Sequence, residues 1–365
     1  MKNYIFLVLF MLITMTGCVN VNQGTKDIMD VRIITDVHGR EVQIPVEVTK
    51  IVPLGNAPRM ISYLGLADMV VGIEECEITE SPLQAYAYPY QADWHKLPIC
   101  GTSAMGETAY YSEEIMLASP DVIICTFPAD VADNLFSQTG IPVVCVSAGT
   151  LFGEDYDESL RIIGEVCGAD VRAEMVIEYI RNCITDIERR CSDIDISDKP
   201  SILGAGATFK GGHSIDGVYV NYPVFEIIAA NDVAAGITEQ TGTIGVMVDR
   251  EQILAWNPDI LIFDSENMGL INEDYKKNPE YFNKLSAVKN DNLYTCPNST
   301  WHWPNVEISL ANSYYLGCIL YPDKFADIDF EKKANEIFEF FIGEKDFLAV
   351  LKDYGAVYGK VTLGE

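Results

Sequence analysis

Three flat side chains stand together in this sequence, in Trp301-His302-Trp303. The faces of two indole rings can hold a planar or bulky apolar molecule, and an imidazole can ligate a metal or hydrogen-bond to a metal chelate. The plain alternative is a packed loop with a hydrogen-bonded histidine, and residue types alone leave both possibilities open. The segment is therefore a candidate binding loop for a metal chelate.

Charged and polar candidates follow strands that the sequence predicts elsewhere. Arg59 and Lys210 could each pair with an anionic group of a chelate, or could be ordinary surface charges, and His213 follows a Gly-Gly pair and is expected to face a cleft. Ligands of open α/β sheets bind in loops at the carboxyl ends of strands. The remaining candidate ligand contacts lie in such loops and are Asn56, Ser103, Met105, Phe127, Phe209, Ser265 and Glu266.

Enzyme chemistry and nucleic-acid binding are not indicated. The sequence contains no GxSxG, P-loop, HExxH or dinucleotide-binding fingerprint, so we expect no catalytic residues and no cofactor. Its four histidines are scattered and its ten cysteines form no CxxC or Cys/His cluster, which argues against a bare metal site. A net charge of −29 predicts repulsion of nucleic acid and of anionic lipid surfaces.

The N-terminus has the pattern of an export signal. Residues 1–17 carry one lysine and then an apolar run that is too short for an ordinary transmembrane span. The segment from Met15 to Cys18 resembles a bacterial lipobox, which predicts cleavage before Cys18 and attachment of lipid to it; the alternative is an uncleaved anchor. Residues 18–29 are polar and would form a tether. We therefore expect a protein that is lipid-anchored on the extracytoplasmic face of the cell membrane.

A long amphipathic segment organises the rest of the chain. Over residues 169–194, apolar side chains recur at helical spacing on one stripe, and charged side chains occupy the other positions. The segment predicts one helix, about as long as a domain is wide. The apolar stripe consists of Val176, Ile180, Cys183, Ile184, Ile187 and Cys191.

Similar segments lie on both sides of this helix. Residues 112–124 and 250–262 share Glu, Ile, Pro and Asp in the same register, and residues 63–73 match residues 227–237. Two matches in the same order predict two similar α/β lobes, with an insertion in the first. We place the N-terminal lobe at residues 30–168 and the C-terminal lobe at residues 195–365, with the long helix between them.

Several segments resemble those of a known family. They are residues Thr35 to Pro45, the following Lys50-Ile51-Val52, and both Glu…Pro-Asp repeats. The family is the iron-complex-type substrate-binding lipoproteins of ABC importers, which bind ferric siderophores, haem or cobalamin. The resemblance implies two Rossmann-like α/β lobes bridged by a single long helix, with the ligand in the cleft between the lobes. It also implies a glutamate on each lobe that docks onto arginines of the permease, and by motif position these are Glu113 and Glu251.

The resemblance thus predicts a monomeric binding protein that captures a metal chelate and delivers it to an ABC permease with its ATPase. The chelate could be a siderophore, haem or a corrinoid. The alternatives are a binding protein for a free metal or an oxyanion, and a surface lipoprotein with an enzymatic or sensory role on the same fold.

Overall fold

The computed structural model describes residues 30–103, 108–237, 244–301 and 303–364. The predicted signal peptide, tether and lipid-bearing Cys18, and the predicted ligand contacts Met105 and His302, lie outside them. The strands are β1 (Val31–Thr35), β2 (Glu41–Pro45), β3 (Ile51–Leu54), β4 (Ile73–Glu74), β5 (Ile99–Thr102), β6 (Ala109–Tyr110), β7 (Val122–Cys125), β8 (Val143–Cys145), β9 (Ser201–Ala205), β10 (Gly217–Tyr219), β11 (Asn231–Asp232), β12 (Gly245–Met247), β13 (Ile260–Asp264), β14 (Leu293–Cys296), β15 (Thr300–Trp301), β16 (Trp303–Pro304) and β17 (Gly359–Lys360).

The helices alternate with these strands, as expected of an α/β protein. They are α1 (Ala57–Tyr63), α2 (Gln91–Trp94), α3 (Ser112–Ala118), α4 (Ala129–Thr139), α5 (Glu154–Cys167), α6 (Asp170–Cys191), α7 (Pro223–Ile227), α8 (Arg250–Trp256), α9 (Met268–Lys277), α10 (Pro279–Phe282), α11 (Ser286–Lys289), α12 (Val306–Leu320), α13 (Phe330–Ile342) and α14 (Phe347–Tyr354). Within the described ranges, no helix is long and apolar enough to cross a membrane.

The N-terminal lobe is built on a three-stranded parallel sheet in the order β3-β7-β8. Every residue of these strands is buried, because helices cover both faces of a parallel sheet and such strands are apolar throughout. The predicted insertion forms a second small sheet, β4-β5-β6, whose first two strands are parallel. Strands β1 and β2 pair as an antiparallel hairpin.

The C-terminal lobe contains a larger sheet in the order β12-β10-β9-β13-β14-β17, with β11 also paired to β9. Helix α6 lies between the lobes and has 22 residues, so it is about 33 Å long. Its buried residues include the whole apolar stripe that the sequence predicted. Two α/β lobes on either side of one long helix confirm the predicted fold class.

The first sequence repeat adopts the same backbone in both lobes. Helices α3 and α8 each have seven residues and end at a left-handed residue, Ser119 (φ 52°) or Asn257 (φ 44°). The aspartate of each Pro-Asp pair then accepts hydrogen bonds from residues at the start of a neighbouring strand. In the N-terminal lobe, Asp121 accepts from Thr49 and Lys50, just before β3. In the C-terminal lobe, Asp259 accepts from Ser201, the first residue of β9. Each aspartate thus fixes a helix-to-strand turn beside its sheet.

The second repeat also matches in detail. Helices α1 and α7 are each followed by a left-handed residue, Gly65 (φ 71°) and Ala229 (φ 48°). The same three backbone hydrogen bonds close both turns. The N–H groups of Leu64, Gly65 and Leu66 donate to the carbonyls of Met60, Ser62 and Ile61, and those of Ile228, Ala229 and Ala230 donate to Val224, Glu226 and Phe225.

The last helices reach back across the molecule. The ring of Phe341 on α13 lies 5.0 Å from that of Tyr63 on α1, and Phe347 on α14 lies 5.2 Å from Tyr88. One hydrophobic core therefore runs through both lobes and α6. The boundary predicted at residue 195 assigns α13 and α14 to the C-terminal lobe, although they also pack against the N-terminal lobe.

Candidate ligand-binding cleft

The turn after β3 places Asn56 at the carboxyl edge of the N-terminal sheet. Gly55 has φ 67°, and a Cβ there would lie 2.2 Å from Thr126 Oγ1, so only glycine fits. The close approach lets the Asn56 N–H donate to Thr126 Oγ1 (3.0 Å), while its Nδ2 donates to the Ala148 carbonyl (2.9 Å). Asn56 is buried and joins three loops of its own lobe.

Glu74, at the end of β4, is a buried carboxylate that sequence reasoning missed. Its Oε2 accepts hydrogen bonds from the Gly55 N–H (2.9 Å) and from the predicted contact Ser103 (2.6 Å), while Oε1 has no hydrogen-bond partner. Burial, with a smaller contribution from the nearby Glu77 carboxylate, raises the pKa of Glu74 to about 8. The sequence did carry a signal for this site, since three glutamates among residues 74–77 directly follow the repeated segment 63–73.

A cavity of about 740 Å³ opens beside these loops. It lies between the β1–β2 turn and the loops after β7 and β8, and of the predicted ligand contacts Phe127 lines it. The Phe127 carbonyl hydrogen-bonds to His38 Nε2 at 3.0 Å. The cavity is lined by Asp36, Val37, His38, Gly39, Thr126, Phe127, Pro128, Val146, Ser147, Ala148, Asp155 and Glu158, all from the N-terminal lobe.

The C-terminal lobe also presents carboxylates at a strand end. Asp264, the last residue of β13, accepts a hydrogen bond from the Tyr219 hydroxyl at 2.7 Å. Glu266 accepts hydrogen bonds from Ser265 Oγ (3.0 Å) and from the Asn298 N–H (3.2 Å). Burial raises the pKa of both carboxyls, and their mutual repulsion raises that of Asp264 further. Ser265 and Glu266 were predicted as contacts, and Asp264 was not.

The loop after β9 folds on itself. The rings of Phe209 and His213 lie 4.1 Å apart, and His213 Nε2 hydrogen-bonds to the Phe209 carbonyl at 2.8 Å. Lys210, between them, has φ 51° and an exposed side chain. Lys210 is therefore accessible to solvent. One ring nitrogen of His213 is engaged in a hydrogen bond within its own loop.

Arg59 does not present its guanidinium to solvent. The side chain is 1% exposed, its Nε donates to Asn305 Oδ1 (2.9 Å), and its Nη2 donates to the carbonyls of Trp301 (2.9 Å) and Trp303 (3.2 Å). The group that sequence reasoning assigned to an anionic ligand is thus occupied by protein oxygens. The Trp303 side chain, in contrast, is 41% exposed.

Two further bonds join the lobes beside Arg59. Asn305 Nδ2 donates to the Leu83 carbonyl at 2.8 Å, and the Tyr63 hydroxyl donates to the buried carboxylate of Glu307. The structure therefore brings the aromatic loop against α1, while Phe209, Lys210 and His213 form a separate cluster. Among the described residues, no group of three or more His, Cys, Asp or Glu side chains could hold a metal ion.

Glu113 and Glu251 occupy equivalent places, one on each lobe. Each is the second residue of its helix, α3 or α8, and each is exposed. A carboxylate in the first turn is favoured by the helix dipole. Their positions leave both side chains accessible to a large partner, and docking remains a prediction.

Comparison with known proteins places the chain in a group with this architecture. A family model for periplasmic binding proteins matches residues 59–300. The chain is 24% identical over 267 residues to the ABC transporter substrate-binding lipoprotein YvrC of Bacillus subtilis, covering 72% of this chain and 76% of YvrC. It is 23% identical over 339 residues to the molybdate-binding protein MolA of Haemophilus influenzae, covering 85% and 90%.

Among solved structures, a periplasmic solute-binding protein from Veillonella parvula superimposes with a TM-score of 0.68. That match has 21% sequence identity and covers 86% of this chain and 93% of the other. It supports the two-lobed fold.

Proposed function

The chain belongs to the periplasmic binding protein family and is the substrate-binding component of an ABC transporter, and we propose that the substrate it captures is a metal chelate without net negative charge. One observation carries the ligand class: the strand ends of both lobes carry carboxyl groups withdrawn from water, the buried Glu74 on β4 and, at β13, the buried Asp264 and the half-buried Glu266. Arg59, the cation that could have met an anion, is engaged with the protein.

Buried carboxyl groups favour a cationic ligand. Burial makes ionisation of each carboxyl unfavourable, and a positive charge beside it offsets part of that cost. Glu74 has a pKa of about 8 and is mostly protonated below that pH. A bound cationic chelate should lower this pKa, so binding should release a proton and strengthen as the pH rises through about 8. An oxyanion should respond in the opposite direction.

Calorimetry on the purified protein at pH 6.5, 7.5 and 8.5 tests the proposal. The probes are the nickel–histidine complex, a neutral ferric trihydroxamate and molybdate. We expect at least one of the two chelates to bind. The affinity for a cationic chelate should rise with pH, and the Glu74→Gln variant should lose this pH dependence. Tight molybdate binding that weakens with pH, with no binding of either chelate, would contradict the proposal and favour the oxyanion alternative.

The proposal includes the membrane anchor. Lipid on Cys18 would hold the receptor at the extracytoplasmic face, near the permease, and the support is the lipobox-like segment and polar residues 18–29. In the producing cell, Cys18→Ala should abolish incorporation of a labelled fatty acid. Continued labelling of that variant would rule out Cys18 as the lipidation site.

A further inference from the structure

The aromatic hairpin, which we define as strands β15 (Thr300–Trp301) and β16 (Trp303–Pro304), is a small structure. Strands β15 and β16 have two residues each and pair Thr300 with Pro304 and Trp301 with Trp303. Its base is closed within the C-terminal lobe, where the Thr300 N–H donates to Asn298 Oδ1 (2.8 Å) and the Asn305 N–H donates to the Ser299 carbonyl (2.7 Å). A two-stranded hairpin is marginal in water, so its position depends on what packs against it.

The other lobe supplies hydrogen bonds to this hairpin. Arg59 on α1 donates to carbonyls on both strands of the hairpin, Trp301 and Trp303, and to Asn305 just after it. The guanidinium carbon lies 4.4 Å from the centre of the Tyr86 ring, which covers one face of the cation. A planar guanidinium offers several donors in a fixed fork, so it sets the separation and orientation of the acceptors as well as binding them.

We propose that Arg59 is a positioning residue: from the N-terminal lobe it holds the aromatic hairpin of the C-terminal lobe in its binding geometry. The hairpin is thereby placed correctly only while the two lobes are in contact. The effect on affinity rests on the proposed function, because it assumes that the hairpin contacts the ligand. The effect on the hairpin itself does not.

The chain offers a matched control in Arg172 on α6. Its guanidinium carbon lies 4.4 Å from the centre of the Phe340 ring, and it donates to the carbonyls of Tyr63 (2.9 Å) and Phe340 (2.6 Å). It therefore has the same type of ring contact and of backbone acceptors, and it joins α6 to α1 and α13 without contacting the hairpin. A merely structural loss should be common to both arginines.

The test compares Arg59→Gln, Arg59→Lys and Arg172→Gln by hydrogen exchange with mass spectrometry. In Arg59→Gln we expect amides of residues 298–305 to exchange about tenfold faster, since each lost buried hydrogen bond is worth about 1 kcal/mol, with no comparable change elsewhere. Arg59→Lys should restore part of the protection, because an ammonium keeps the charge and some donors. Arg172→Gln should leave these amides unchanged even where urea unfolding shows an equal loss of stability.

Affinity for the nickel–histidine complex and the ferric trihydroxamate gives the second readout. Arg59→Gln should weaken whichever probe the parent binds by about tenfold, as expected when a preorganised contact must be ordered on binding. If Arg59→Gln does not fold, Asn305→Ala removes one acceptor and should show the same changes at smaller size. Unchanged exchange of residues 298–305 in the folded variant, or an equal change in Arg172→Gln, would overturn the inference. A parent that binds neither chelate would refute the proposed ligand and leave the exchange test standing.

Discussion

The two lobes share a framework but differ in how they present their candidate ligand contacts. The turns after α1 and α7 match to the individual hydrogen bond. In the N-terminal lobe, however, Asn56, Arg59 and Phe127 are at most 4% exposed and are bonded to other protein groups. In the C-terminal lobe, Lys210 and Trp303 extend into solvent. Of these candidates, Lys210 and Trp303 are therefore the accessible ones, and we predict that a ligand meets adaptable side chains mainly in the C-terminal lobe.

The inserted sheet explains part of this difference. In the N-terminal repeat, strands β4 and β5 bring Glu74 and Ser103 against the Gly55 turn. Their hydrogen bonds fix the strand-end loops of that lobe before any ligand arrives. In the C-terminal lobe, Phe209 and His213 close the loop after β9 on itself, and Asn267 Nδ2 ties that loop to the one after β13 through Gly206 and Thr208.

The largest expected effect concerns a feature that the lobes share, the exposed glutamates. Glu113→Ala combined with Glu251→Ala should abolish uptake in cells, because paired carboxylate–arginine contacts on both lobes would be lost. Affinity of the purified variant for its ligand should stay nearly unchanged. The control is Glu114→Ala, which removes an exposed carboxylate of the same helix. Loss of affinity in the double variant would instead assign these residues to the cleft.

The next effect should be confined to the C-terminal lobe. Trp301→Ala or Trp303→Ala should weaken ligand binding by about thirtyfold in at least one case, the scale of a buried aromatic hot spot of roughly 2 kcal/mol. Lys210→Ala should leave the affinity for a chelate without net negative charge nearly unchanged and should weaken only the binding of an anionic chelate, less so at high salt. Titration calorimetry measures both, with Trp256→Ala on α8 as the control. If both hairpin variants bind as the parent does, the aromatic hairpin is packing alone.

The smallest effect tests the framework. Ala229 holds the left-handed conformation that Gly65 holds in the other lobe, and this conformation costs an L residue about 1 kcal/mol. Ala229→Gly should therefore stabilise the protein slightly, and Gly65→Ala should destabilise it by about 1 kcal/mol in urea unfolding. A Cβ at Gly65 meets no atom within 4 Å, so sterics outside the backbone do not interfere. Changes of the same sign in both variants would mean that the two turns are not equivalent.

The sequence was informative where local patterns decide the structure. Helical spacing located α6, and the matching Glu…Pro-Asp segments identified two equivalent turns because an αL residue, a proline and a capping aspartate act within a few residues. The placement of Arg59 was not predictable, since its partners lie more than 240 residues away in the other lobe. Glu74 was missed for a related reason: burial of its carboxylate depends on how the inserted sheet packs.

The return of α13 and α14 to the N-terminal lobe has a consequence for how the chain acquires its structure. Tyr63 and Tyr88 are synthesised early, and their ring partners Phe341 and Phe347 are synthesised more than 250 residues later. Contacts so distant in sequence slow folding, because a long loop must close before they contribute. The first lobe therefore cannot complete its packing while the chain is still being made, which keeps a protein destined for export in a less compact form until its last helices have emerged.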